Sequence, residues 1–220
     1  MSIHSYLLSG SNFKKAQQLT LDARQEKGEK AEQLFHQALT RFAAVSESYS
    51  QYADALYYWG FALFHQAQTK SPNEKIKIFE AAISKFSSCQ SISPNHLGAA
   101  VDGGVALLGL AKSKKVNLED ELYLKAKDSF ELAETIQSGS ASYNLACMYA
   151  IQNKGDACLK ALNNAREYGL VPSEENIIND DDLQNIKNLP WFAEYIKSLT
   201  IVEEEIQEVD IDESLENKDS

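Results

Sequence analysis

The chain has 220 residues, of which 44% are hydrophobic and 10% aromatic, enough for one folded domain or a short array of repeats. It contains only four prolines and ten glycines, and Ala, Leu, Lys, Gln and Glu recur in long stretches, which predicts an all-α protein without strands. Residues 201–220 hold six Glu and three Asp against one Lys and so account for −8 of the net charge of −11. Because the nearly balanced remainder lacks a Lys/Arg stripe, we expect no nucleic-acid partner.

The first residues, MSIHSYLLSG, contain neither a basic leader nor an apolar run of signal-peptide length. No later segment approaches the roughly 18 apolar residues of a membrane span, so we expect a cytoplasmic protein. Cys89, Cys147 and Cys158 are odd in number and lack CxxC spacing, and we expect them to lie inside the core rather than in disulfides or a zinc site. The four histidines are widely separated, and no metal or cofactor is predicted.

Similar residues recur when the sequence is shifted against itself by 44 residues, and three copies agree in two helical stripes. The first stripe carries a small residue, which lets two crossing helices approach closely. Each copy is therefore predicted to be a pair of helices whose apolar face is buried by its neighbours. The aligned columns are Ala16, Gly60 and Gly104; Leu19, Leu63 and Leu107; Leu34, Ile78 and Leu122; Phe35, Phe79 and Tyr123; Ala38, Ala82 and Ala126; Phe42, Phe86 and Phe130; and Val45, Cys89 and Ala133.

Helix starts are predicted between the two stripes of the second and third copies. Ser71 is expected to be an N-cap, with Pro72 at the first helical position and Glu74 closing a capping box. In the third copy, Asn117 is expected to cap the second helix. The pattern predicts long helices joined by short turns.

A fourth unit, residues 140–168, has a shorter spacing and contains Tyr-Asn-Leu-Ala-Cys at residues 143–147, followed by Gly-Asp at residues 155–156. Downstream, an Asp run at residues 180–182 precedes Leu183. We interpret this run as a helix cap rather than a calcium loop, because the Gly and the closing Glu of an EF-hand are missing.

These motifs resemble those of the tetratricopeptide repeat family, which carries a large residue followed by Leu-Gly and Tyr on its first helix and Ala, Phe, Ala and Pro on its second. The matching residues of the second copy are Leu56, Trp59, Gly60, Leu63, Ala82, Phe86, Cys89 and Pro94. The resemblance implies a right-handed α-solenoid of antiparallel helical hairpins over residues 1–199. It would have about four units, three with the long 44-residue period and a closing unit at residues 140–168.

The resemblance also implies a non-enzymatic scaffold or adaptor that binds a peptide or helix of another protein in a concave groove. The candidate groove residues are Phe13, Tyr57, Phe61, Phe64, Val101, Val105, Leu108 and Tyr143. Tyr57, Phe61 and Phe64 share one helix face; they either anchor the partner or are covered by the long hairpins or by the helix near Trp191. The Lys and Asn residues with which chaperone-binding members clamp a terminal carboxylate are absent, which disfavours an Hsp70 or Hsp90 tail. No catalytic motif is present, so we expect no enzyme.

Residues 200–220 form an acidic tail that we expect to be disordered. Its Glu block, Glu203–Glu205 with Glu208, also resembles the export signal of proteins secreted by intracellular bacteria through a type IV system. The alternative function is therefore a secreted bacterial effector or a secretion-linked chaperone, exported without a classical signal peptide. A third interpretation is that Val202, Ile206 and Val209 dock the tail in a groove of the protein itself or on a partner.

Overall fold

The structure, a computed structural model, describes residues 2–199. Within this range helices alternate with turns and short connections, and no residue forms a strand, which confirms the expected all-α class. The described residues form two compact units, unit 1 with residues 2–138 and unit 2 with residues 139–199. The expectations for the acidic tail concern residues outside the described range.

Unit 1 consists of helices that pack in chain order. They are α1 (Ile3–Gln25), α2 (Gly28–Ala43), α3 (Tyr52–Gln68), α4 (Pro72–Ile92), α5 (Leu97–Lys114) and α6 (Glu121–Ile136). Each odd-numbered helix packs against the helix that follows it, and α2 and α4 also contact the next pair. In addition, α3 touches both α1 and α5. The first helices of the three pairs are therefore neighbours, and they supply the side chains of the candidate site.

Six of the seven aligned columns of the sequence repeat are buried in unit 1, whereas the column of Leu34, Ile78 and Leu122 is half-buried. Phe86 and Phe130 are fully buried, as predicted, and so are the alanines four residues before them. Gly60 lies directly against the Phe86 ring, since a Cβ atom on Gly60 would be 2.8 Å from Cε1 of that ring. Gly104 lies against Phe130 in the same way, at 2.5 Å. The predicted crossing of a small residue with a large one is thus present in two copies.

The predicted start of α4 is confirmed. Ser71 is the N-cap, Pro72 occupies the first turn, and the Ser71 N–H donates to Glu74 Oε2 at 3.3 Å to complete the capping box. The expectation for the third copy was wrong in detail. The N-cap of α6 is Asp120, whose carboxylate accepts from the Leu122 N–H at 2.9 Å, while Asn117 lies in the preceding turn. An Asp next to the first turn also interacts favourably with the helix dipole, which Asn does not.

Unit 2 contains a helix pair followed by shorter elements. The pair is α7 (Ser142–Ile151) and α8 (Gly155–Glu167), followed by α9 (Glu174–Asn179), a 3-10 helix (Asp181–Ile186) and α10 (residues 190–199). The core of this unit joins Leu162 of α8 to Ile177, Leu183 and Ile186. The Tyr195 hydroxyl donates to the Leu162 carbonyl at 3.0 Å and ties α10 to α8.

Candidate functional site

A cleft runs between α1 and α3 of unit 1, and we call it the α1–α3 cleft. It has two adjoining parts, of about 400 and 340 Å³, that share Lys14, Gln17 and Tyr58. The larger part also reaches Asp54, and the smaller part reaches Phe61. The volumes fall in the range of small-ligand and peptide side-chain pockets.

One wall of the cleft is positioned by a bond between two helices. Tyr57 of α3 donates its hydroxyl proton to Asp102 Oδ2 of α5 at 2.9 Å. The Tyr57 ring lies against Gly98, where a Cβ atom would be 2.8 Å from the ring. Burial raises the pKa of Asp102 overall, although the bond from Tyr57 and the nearby charge of Arg24 oppose this shift. Tyr57 is therefore held in place and is not a freely moving contact residue.

His96 completes the end of this wall. Its Nδ1 accepts from the Ala99 N–H at 3.1 Å and caps α5, so this nitrogen carries no proton. Its Nε2 lies 3.3 Å from Asp54 Oδ1. The imidazole ring is also 4.7 Å from the Tyr57 ring. His96 is thus used by the fold as the cap of α5.

Phe61 forms the floor of the smaller part of the cleft and is surrounded by polar and aromatic groups. The Arg24 guanidinium of α1 lies 5.2 Å from the Phe61 ring centre. The His65 ring is 4.3 Å from it in an edge-on arrangement. Burial and the charge of Arg24 lower the pKa of His65 to about 4, so this histidine is neutral at pH 7. The half-buried Phe61 ring therefore lines the cleft next to a cation.

The structure separates the predicted groove residues into different environments. Phe13 and Leu108 are buried, so they contribute little or no open surface. Phe64 is half-buried, and its ring lies 5.9 Å from Phe79 of α4. Val101 and Val105 are half-buried on α5 and line neither part of the cleft. Of the eight predicted residues, Tyr57 and Phe61 contribute most to the cleft, with an edge of Phe13.

Tyr143, the eighth predicted residue, lies in unit 2. Its hydroxyl donates to Asp180 Oδ2 at 2.8 Å, and the Cys147 thiol donates to the same oxygen at 3.6 Å. The other oxygen of Asp180 accepts from the Asp182 N–H at 2.8 Å and caps the 3-10 helix, as the sequence predicted. Tyr143 thus holds the segment after α9 against α7.

Several cleft residues were missed by the sequence reasoning. Lys14 and Tyr58 each follow a predicted groove residue, Phe13 and Tyr57, by one position. One residue corresponds to about 100° of rotation around a helix, so a small rotation exchanges a buried position for a lining one. The polarity of Lys14 was the available signal, since a lysine beside an apolar column marks the edge of the buried face.

The cysteines of the described residues lack the lowered thiol pKa of a nucleophilic cysteine. All three cysteines are buried and free. Burial raises the pKa of the Cys89 thiol to about 11 and that of Cys158 to about 12. Burial and the charges of Asp180 and Asp182 raise the pKa of Cys147 as well. A thiol with a raised pKa is a poor nucleophile at neutral pH.

Residues 2–199 contain no group of three or more His, Cys, Asp or Glu side chains arranged to hold a metal ion. Over the same range, no helix combines the length and apolarity needed to cross a membrane. No family model, curated protein or solved structure matches the chain, so its interpretation depends on its own residues. The resemblance to tetratricopeptide repeats therefore stays a prediction.

Proposed function

We propose that the protein is a non-enzymatic scaffold or adaptor that binds a peptide or helical segment of another protein in the α1–α3 cleft. The observation that carries this proposal is the half-buried aromatic floor made by Tyr58 and Phe61, whose ring centres are 6.4 Å apart. Aromatic side chains in a cleft supply large contact area with little loss of side-chain entropy, which makes them good anchors for a partner.

The proposal includes the architecture. We propose that the helix pairs of the chain are tetratricopeptide-like hairpins in a right-handed solenoid. Support comes from the 44-residue spacing of Gly60 and Gly104, each of which receives a phenylalanine ring from the second helix of its own pair. The contacts of α3 with both α1 and α5 agree with stacked first helices.

The polar groups around the cleft are consistent with binding rather than bond breaking. Asp54 and His96 line the larger part of the cleft, where Asp54 Oδ1 lies 3.3 Å from His96 Nε2 and His96 Nδ1 caps α5. Asp102 lies behind Tyr57, from which it accepts a hydrogen bond. A general base needs a free lone pair within hydrogen-bond reach of a substrate proton. The side chains that line both parts of the cleft are Lys14, Gln17 and Tyr58, which suit recognition.

The test is affinity capture from a lysate with the full chain and three variants. The first, Tyr58→Ala with Phe61→Ala, removes the aromatic floor. The second, Gln17→Arg, fills the cleft without removing core packing. The control, Leu124→Ala, shortens a side chain on α6 that is 56% exposed and lies away from the cleft.

A partner that is captured by the intact chain and the control but lost by both cleft variants would support the proposal, provided that helicity and thermal stability are unchanged. A partner retained by Gln17→Arg would place the binding site elsewhere. Turnover of a substrate by the purified chain that survives both cleft variants would contradict the proposal as well.

A further inference from the structure

Helix α1 exposes an evenly spaced line of three side chains. Leu7, Lys14 and Leu21 are each seven residues apart, which is about two helical turns, so they lie along nearly one face of α1. Leu7 is 64% exposed and Leu21 is 47% exposed. Lys14 is exposed between them. A surface with apolar ends and a cation at its centre therefore extends for about 21 Å along α1.

Two clefts adjoin this line and meet at Lys14. One, of about 650 Å³, is lined by Leu7 and Lys14 with Tyr6 and Tyr49. The other is the smaller part of the α1–α3 cleft, lined by Lys14 and Leu21 with Tyr58 and Phe61. Each exposed leucine thus has aromatic neighbours, and Lys14 lines both clefts.

The charge of this surface is opposite to that of the chain. Neither Lys14 nor Lys15, which lines the larger cleft, forms an ion pair with the described residues. Among these residues no carboxylate lines either of these two clefts, and Asp54 lines only the other part of the α1–α3 cleft. Some lysines elsewhere in unit 1 are paired, such as Lys114 with Glu80 at 2.7 Å and Lys70 with Glu32. In a protein of net charge −11, two unneutralised lysines between apolar clefts define a site complementary to an acidic ligand.

We propose that this surface binds an amphipathic helix of another protein that carries one Asp or Glu between two large apolar residues about seven positions away on either side. The proposal rests on the proposed function and specifies its partner. The acid would pair with Lys14, and the apolar residues would enter the clefts beside Leu7 and Leu21.

A helical ligand fits better than an extended one for a physical reason. The walls of the clefts are helices, whose backbone N–H and C=O groups are paired within each helix, so they offer no edge to which a strand can add. A helix carries its own backbone hydrogen bonds and presents side chains at two-turn intervals, matching the spacing of Leu7, Lys14 and Leu21.

The experiment is a selection from a displayed library of helical peptides against the full chain. Two leucines are fixed 14 positions apart, and the position midway between them is randomised together with its neighbours. A parallel selection uses Lys14→Glu, and Lys77→Glu is the matched control. Lys77 is exposed on α4, so the control changes the net charge equally without touching the surface.

We expect peptides selected on the intact chain to carry Asp or Glu at the midway position, and those selected on Lys14→Glu to carry Lys or Arg. Synthesised with both ends blocked, the acidic peptides should bind Lys14→Ala about five-fold more weakly than the intact chain, the size expected of one exposed ion pair. Their affinity should fall with added salt and be unchanged on Lys77→Glu.

Four results would overturn the proposal. Binders that depend on Phe61 but show no charge preference midway would overturn it and leave the proposed function standing. Binders whose affinity is unchanged by substitution of Lys14, Leu21 or Phe61 would overturn both this proposal and the proposed function. A synthetic peptide of residues 200–220 that displaces all selected peptides would show that the occupant is the chain's own tail. Loss of all peptide binding when the chain forms a dimer would show that the occupant is a second copy of the chain.

Discussion

Tyr57 and Asp102, which are 45 positions apart, share a hydrogen bond of 2.9 Å that joins α3 to α5. A similar bond occurs in unit 2, where Tyr143 donates to Asp180 at 2.8 Å. Both tyrosines are among the predicted groove residues, and both hold a later segment against the first helix of a pair. A residue type that sequence reasoning assigned to partner binding therefore also has a structural role.

Replacing Tyr57 with Phe should destabilise unit 1. The ring remains, but the partly buried Asp102 carboxylate loses its donor, and we expect the free energy of unfolding to fall by about 1–2 kcal/mol. Urea titration followed by circular dichroism measures this change. Tyr58→Phe is the matched control, because the Tyr58 hydroxyl makes no hydrogen bond with the described residues. Equal effects of the two substitutions would show that the bond to Asp102 contributes nothing.

Replacing Gly104 with Ala should be harmful, whereas the same change at its neighbour should not. A Cβ on Gly104 would lie 2.5 Å from the fully buried Phe130 ring, which would have to shift within the core. Overpacking of this kind costs about 1–3 kcal/mol. A Cβ on Gly103 would lie at an ordinary 3.5 Å from Phe86, so Gly103→Ala should be neutral or stabilising through helix propensity.

Thermal denaturation of the two glycine variants checks this prediction. The midpoint should fall for Gly104→Ala and stay or rise for Gly103→Ala. The opposite order would mean that Phe130 is not seated against Gly104.

Truncation of Phe130 to Ala should cost about 3–5 kcal/mol, because it removes a fully buried ring and leaves a cavity between α5 and α6. Chemical denaturation gives the value, with the exposed Leu124→Ala on the same helix as the control. A loss below about 1 kcal/mol would contradict the alignment of the repeat columns, since removing an aromatic side chain from a core lowers the free energy of unfolding by more than this.

Stability should fall on acidification in part because of His65. Its pKa is lowered to about 4 in the folded protein by burial and by Arg24, whereas the unfolded chain takes up this proton near pH 6.5. Between these two values the unfolded state binds more protons, so the free energy of unfolding decreases as the pH falls through this window. His65→Gln should lose less stability than the intact chain between pH 7 and pH 4.5, while both respond alike between pH 7 and pH 8. Parallel curves over the acidic window would contradict the lowered pKa.

The cysteines should react slowly with iodoacetamide at pH 7 in the folded protein and at the ordinary rate after denaturation. Each thiol is buried, and its raised pKa keeps the thiolate fraction small. Mass spectrometry of tryptic peptides assigns the rates to Cys89, Cys147 and Cys158. Rapid labelling of Cys147 in the native state would indicate an activated thiol and would call for a search for catalytic activity.

Local chemistry in the sequence predicted several features correctly. The capping box at Ser71 and Glu74 and the Asp180 cap depend on residues within three positions of each other, so neighbouring residues suffice to specify them. The same reasoning assigned the cap of α6 to Asn117, whereas Asp120 is the observed cap. Both residues precede the helix, and only the observed dihedral angles distinguish them.

The periodic apolar columns alone determined that this chain is helical and which face of each helix is buried, because burial follows the 3.6-residue period. Tertiary structure alone decided what lies at the edge of that face. Whether Phe13 or Lys14 lines the cleft, and whether Tyr57 meets a partner or Asp102, depends on how far each helix is rotated against its neighbours. That rotation is set by contacts between residues of different helices, such as Gly60 with Phe86 and Tyr57 with Asp102, which no local pattern contains.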